Sequence, residues 1–109
     1  MTQEITLQNA TSQGLLILIV PPTLEEMLID VLLQYPEISG FTSSKVNGHG
    51  TVHGDGAELS LLEQVTGRQQ RVQFMMHANV SDLQNLTAMV KTKFRSTDIH
   101  SILLPLLPC

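Results

Sequence analysis

The chain has a single cysteine, Cys109 at the last position, so no internal disulfide can form; this fits a reducing cytoplasm and makes the thiol an idle tail group. Positive charge is scarce as well. Six Lys and Arg stand against ten Asp and Glu, a formal net charge of -4 that supplies no strong field for a phosphate backbone, and nucleic acid is not expected as a partner. The longest apolar run, residues 15–20, is far short of the roughly 20 residues that cross a bilayer. The polar start lacks the basic opening and apolar stretch of a signal peptide, so neither membrane insertion nor export is expected, and the localisation read from these absences is cytoplasmic. Repeats and low-complexity tracts are missing too. No Ser, Cys or His set has the spacing of a nucleophile and its base, and no phosphate loop or redox cysteine pair occurs. The chain is not read as an enzyme.

What is present is apolar. At 109 residues there is room for one domain, yet hydrophobic residues reach 42% and charged residues only 15%, more apolar than a solvated monomer of this size requires. Leu15, Leu16, Ile17, Leu18, Ile19 and Val20 form an unbroken run, the pattern of a central strand buried on both faces, and Pro21 and Pro22 stop it. Thr23 and Glu26 have the spacing of a capping box, in which two side chains satisfy free amides at a helix start. The helix they predict runs to about Tyr35, with Leu24, Met27, Leu28, Val31, Leu32 and Tyr35 as its core stripe, and Pro36 ends it.

Residues 41–46 read as a second, more polar strand and residues 71–77 as a third, with Val72, Phe74 and Met76 alternating onto the core face. Ser81 and Gln84 repeat the capping-box spacing ahead of a second helix whose stripe is Leu83, Leu86, Met89, Val90 and Phe94. Residues 99–104 complete the set as a fourth strand. The predicted fold is therefore α+β, a ferredoxin-like βαββαβ unit in which a four-stranded antiparallel sheet carries two helices on one face, with a long loop between strands 2 and 3. Residues 1–13 form an arm and residues 14–109 the single domain. Met75, Ile102 and Leu104 point away from the helices, leaving an apolar sheet face that closed self-association would hide.

Glycine concentrates in the long loop. Four of the seven glycines fall between Gly48 and Gly56, a density that suits a segment able to change shape or wrap a ligand. Gly40-Phe41-Thr42, then Gly48-His49-Gly50 and Gly54, resemble the glycine motifs at the root of the mobile loop in the PII signal-transduction (nitrogen regulatory protein P-II) superfamily, and Leu104-Pro105-Leu106 resembles the close of its fourth strand. The resemblance spans residues 15–106 and is strongest to a PII-like branch encoded near heavy-metal efflux systems. It implies a homotrimer with ligands in clefts between subunits and a flexible loop, residues 47–67 here, that touches a target protein such as a transporter or efflux component.

Two departures change what the resemblance implies. Val52 falls where PII proteins place a glutamine that helps hold magnesium and nucleotide, and a valine side chain offers no oxygen to a hard cation. Residues 91–98 contain no glycine where PII has a phosphate-cradling turn. Magnesium-ATP binding in the PII manner is not expected. The loop also lacks tyrosine, so nucleotidylation of that residue has no acceptor.

The candidate ligand-binding loop residues are Gly48, His49, Gly50, His53 and Gly54. His49 and His53, four residues apart, are the candidate metal ligands, since imidazole suits zinc, copper and nickel; Asp55, Glu58 or symmetry copies would have to supply the rest of a site for a divalent transition metal. His77 and His100 read as sheet or subunit-contact residues. Possible anion contacts are Arg68, Arg71, Lys91 and Arg95, although the basic residues near the second helix end chiefly complement its dipole. Residues 58–65 suit a short helical turn, with Leu59, Leu62 and Val65 on one side to dock on a partner or fold back. The expected function is a trimeric PII-like signalling regulator that senses a small ligand or metal; the alternative is a metal-binding accessory protein of a heavy-metal efflux system that uses the loop histidines.

Overall fold

The computed structural model describes residues 12–50 and 68–108. Its strands are β1 (Gln13–Val20), β2 (Thr42–Gly48), β3 (Gln69–Asn79) and β4 (His100–Pro105), and its helices are α1 (Glu25–Leu33), preceded by a 3₁₀ turn over Pro22–Leu24, and α2 (Val80–Lys93). The sheet order is β2-β3-β1-β4 with every neighbouring pair antiparallel. This is the ferredoxin-like arrangement expected from the sequence.

β1 holds the centre. Leu16, Leu18 and Val20 are fully buried on one face, where Val72, Phe74 and Met76 of β3 join them. The helices cover that face with Leu24, Leu28 and Leu32 from the first and Leu83, Leu86 and Val90 from the second, all in one apolar cluster. A leucine taken wholly out of water contributes about 1.5–3 kcal/mol, so this single layer supplies most of the drive to fold.

Neither capping box forms. Pro22 fixes its backbone in a helix-compatible shape and opens a 3₁₀ turn closed by the Leu24 amide on the Pro21 carbonyl at 3.0 Å, so Thr23 is already inside a turn and lacks the extended backbone a cap requires. At α2 the strand runs straight into the helix: Val80 is the first helical residue, Ser81 lies inside the first turn, and the Val80 amide donates to the Ser12 carbonyl at 2.7 Å. Asn79 accepts through its side-chain oxygen from Gln13 Nε2 at 2.9 Å instead of capping. Gln13, assigned from sequence to the arm, thus belongs to β1.

The α1 stripe is narrower than its sequence suggests. It centres on Leu24, Leu28 and Leu32 at four-residue steps; Met27 falls to one side and is 53% exposed, while α1 stops at Leu33, two residues before Tyr35. Ile38 packs into the core from the turn that follows, held by its amide on the Tyr35 carbonyl at 3.3 Å.

Among the described residues, no helix covers the opposite sheet face. Antiparallel register sets Leu104, Leu15 and His77 in one row, then Ile102, Ile17, Met75 and Thr42 in the next, then His100, Ile19, Gln73 and Ser44. Ile102 and Leu104 are 43% and 46% exposed, and no carboxylate lies in these rows. The expectation of β1 buried on both faces holds for one face within a single chain. β2 and β4 are the outer strands, and β2 is exposed along most of its length.

Candidate functional site

The chain between β2 and β3 leaves the sheet at a paired rung, Gly48 opposite Gln69. At that same end lie the start of α1 and the finish of α2, because both helices run antiparallel to the strands that precede them. Along the helix-facing side of β2 and β3, apolar residues give way to polar ones: Phe74 and Val72 are buried, whereas Ser43, Lys45, Asn47 and Gln70 occupy the remaining positions. Phe74 and Val72 close the core there, and past them a cavity of about 330 Å³ opens between the strand ends and the 3₁₀ turn. Pro22, Glu25, Lys45, Asn47, Gln70 and Arg71 contribute to its walls.

Charge of both signs meets in this cavity. Glu25 is the first residue of α1, where a carboxylate is favoured by the helix dipole, and Lys45 comes from β2 across the opening. Neither has an ion-pair partner among the described residues. Arg71 is anchored: its Nη1 donates to the Gln70 carbonyl and its Nη2 to Gln69 Oε1, each at 2.7 Å. These partners, a carbonyl and an amide oxygen, hold the Arg71 guanidinium beside Gln69 on the sheet face away from the helices, since Arg71 pairs with Val46 and alternates with the buried Val72.

The residues singled out from sequence separate into groups. Gly48 sits on the last rung of β2, His49 follows it exposed, and Gly50 adopts φ 138°, a conformation that side-chain-bearing residues rarely reach. His53, Gly54 and the helical turn expected over 58–65 lie outside the described residues, so the pairing of His49 with His53 does too. Among the described residues no group of three His, Cys, Asp or Glu side chains converges. Arg68 is exposed beside the loop and engaged in an interaction. Lys91 and Arg95 sit at the α2 terminus, where Arg95 Nε donates weakly to the Thr92 carbonyl at 3.4 Å; they belong to the helix end and do not line the loop-root cavity. His77 and His100 are exposed on the bare sheet face, His77 beside a second hollow of about 360 Å³ shared with Leu15, Gly40, Phe41 and Met75.

Glu25, Lys45, Asn47 and Gln70 were not chosen as site residues on sequence grounds. One signal pointed to them: on the side of β2 that should face the helices, the alternation reads Ser43, Lys45, Asn47, polar where a covered strand requires apolar residues.

Sheet order and helix placement define a ferredoxin-like α+β domain. Residues 10–109 match the family described as "Protein of unknown function (DUF3240)", and the chain belongs to that family. A crystal structure of a DUF3240 family protein from Shewanella baltica is similar, with a TM-score of 0.69 and 15% identity over 90% of this chain and 93% of the other. A protein of Thermus thermophilus, provisionally described as a PII-like signalling protein, superposes with a TM-score of 0.56 and 13% identity over 86% of each chain. At these identities the likeness is one of fold. No curated protein matches the chain. Among the described residues no helix is long and apolar enough to cross a membrane.

Proposed function

We propose that this chain is a non-catalytic, trimeric signalling protein of the PII-like kind, in which a small ligand at the loop root changes the order of residues 47–67 and so alters their fit to a partner protein. The observation that carries the reading is the joint position of the loop and the cavity: Gly48 and Gln69 close the sheet one rung from the Asn47 and Gln70 walls of the cavity. A ligand seated there touches the two strand ends from which the loop springs, which is the geometry an order–disorder switch requires. The fold shared with a PII-like protein supports the reading, and the apolar sheet face supports self-association, since an exposed apolar patch of contiguous rows is a recurrent mark of an interface. Metal binding by His49 and His53 is left outside this reading, because two imidazoles fall short of the four ligands of a structural zinc site.

Hydrogen exchange over residues 47–67, measured on the purified protein with adenine nucleotides, amino acids, dicarboxylates and divalent metals added one at a time, tests the switch. Protection of the loop by at least one of them is the expected result. A loop equally exposed under every condition would overturn it.

A further inference from the structure

The sheet face that neither helix covers holds ionisable groups of one sign only. β1 contains no ionisable residue, β4 contains His100 alone, and β3 contributes His77 and Arg71. Lys45 of β2 pairs with the buried Val72 and so belongs to the helix-facing side. Arg71 lies one row past Gln73, with its guanidinium held on Gln69 and the Gln70 carbonyl. In the three apolar rows, His77 and His100 are therefore the side chains that change charge near neutral pH, and no carboxylate of those rows answers them.

His77 is set among apolar groups. Leu15 is its cross-strand neighbour, with the Cβ atoms of such a pair about 4.5–5.5 Å apart, and Met75 stands two residues along β3 on the same face. The hollow beside it has Leu15, Phe41 and Met75 in its walls and no second ionisable residue. Glu37 and Asp82, the carboxylates of the turn after α1 and of the first turn of α2, act on Tyr35, which packs against the core on the helix side. His100 differs, because Asp98 stands two residues before it in the chain and supplies a negative charge to that end of β4.

A surface that covers Leu15 also covers the imidazole paired with it. Neutral imidazole accepts that loss of water at small cost, and the face then carries no charge over these rows and meets a copy of itself without repulsion. Imidazolium does not: burial disfavours the charged form, and each arriving copy brings the same positive charge on a face with no carboxylate to offset it. We infer that His77 makes self-association through this sheet face proton-sensitive, so that copies assemble while the imidazole is neutral and separate as it takes up a proton. The inference rests on the reading of this face as the contact between copies, and it adds the condition under which the contact holds. Protons bind the separated chain more readily than the assembled one, so association strengthens as pH rises and levels off above the imidazole range. With an ordinary imidazole titrating near 6.5, shutting out one proton weakens association about tenfold at about pH 5.5.

Sedimentation velocity of the full chain at about pH 8 and about pH 5.5, on wild type and on the His77→Gln and His100→Gln variants, tests this, with circular dichroism following the fold at each pH. His77→Leu, which keeps the surface apolar, repeats the measurement if the glutamine amide alone prevents assembly. Wild type should sediment as a species larger than its 12.0 kDa chain at the higher pH, and its association constant should fall about tenfold or more at the lower. The fall should vanish in the His77 variant and persist in His100→Gln. An association constant equal at the two pH values overturns the inference and leaves self-association standing, as does a fall undiminished in the His77 variant, or one that accompanies loss of the circular dichroism signal. A chain that sediments at 12.0 kDa under both conditions removes the contact itself, and the inference with it.

Discussion

Ile17 and Ile102 lie directly opposite one another across β1 and β4, on the side of the sheet that neither helix covers. Met75 extends the same row on β3, and Leu15 with Leu104 forms the row beside it. In the proposed assembly these side chains are what the copies hide from one another. Ile102→Glu places a carboxylate in the middle of that contact, where an unpaired charge is costly to bury, and should weaken association on the order of a hundredfold or more while leaving the monomer folded. Sedimentation velocity reads both: wild type should run as a species larger than its 12.0 kDa chain, and the variant as the chain alone. Identical sedimentation of the two proteins would mean that this face is not the contact.

Phe74 is fully buried between the helices and the sheet, so Phe74→Ala should cost about 3–5 kcal/mol in urea unfolding. Leu33, although it ends a run of apolar helix residues, is 71% exposed, and Leu33→Ala should stay within about 0.5 kcal/mol. Equal costs at the two positions would contradict the assigned orientation of α1.

Gly14 and Gly40 separate a packing glycine from an unconstrained one. A Cβ on Gly14 would stand 3.1 Å from Leu103 Cδ1, Val80 Cγ2 and the Leu104 carbonyl oxygen, and that carbonyl belongs to a paired strand that cannot yield. Gly14→Ala should destabilise by about 1–3 kcal/mol. At Gly40 nothing lies within 4 Å and φ is outside the left-handed region, so Gly40→Ala should stabilise by about 0.4–1 kcal/mol through the unfolded chain.

Tyr35 titrates above its ordinary value of 10.0, chiefly through loss of solvent around the phenol and further through the negative charges of Glu37 and Asp82. The folded state therefore holds the phenolic proton more tightly than the unfolded state. The stability this contributes is complete below pH 10 and is lost as pH rises through the folded value. As the chain's only tyrosine, with tryptophan missing, it gives an unmixed phenolate absorbance signal. Titration in native buffer should end at higher pH than titration in concentrated urea, and Tyr35→Phe should flatten the alkaline fall in stability. Coincident titration curves would contradict the assigned surroundings.

The fold was largely legible because its strongest signals are local. The run 15–20 announced the central strand, and alternation in β3 announced its covered face, since a strand's period of two survives any tertiary setting. Helix starts were less legible. Thr23 and Ser81 have the right spacing for caps, but Pro22 and the direct passage from β3 into α2 had already bent the backbone, a decision made by neighbours outside the motif. Ile38 was missed because it lies in a turn with no periodic partners and is buried only once the core assembles. The cavity was missed for a similar reason: Glu25 and Lys45 are 20 positions apart, and only the register of β2 on β3 and the position of the 3₁₀ turn bring them to one opening.

The exposed outer border of β2 has a consequence for solution behaviour at high concentration. Thr42, Ser43, Ser44 and Lys45 line a strand whose free side would otherwise template another strand, and hydroxyls with an ammonium are poor material for that. Pro105 closes β4 at the other border, where it has no amide hydrogen to offer. Growth by endless strand addition is disfavoured at both margins. A chain this greasy can thus gather into a closed particle of fixed size rather than spin out into fibres.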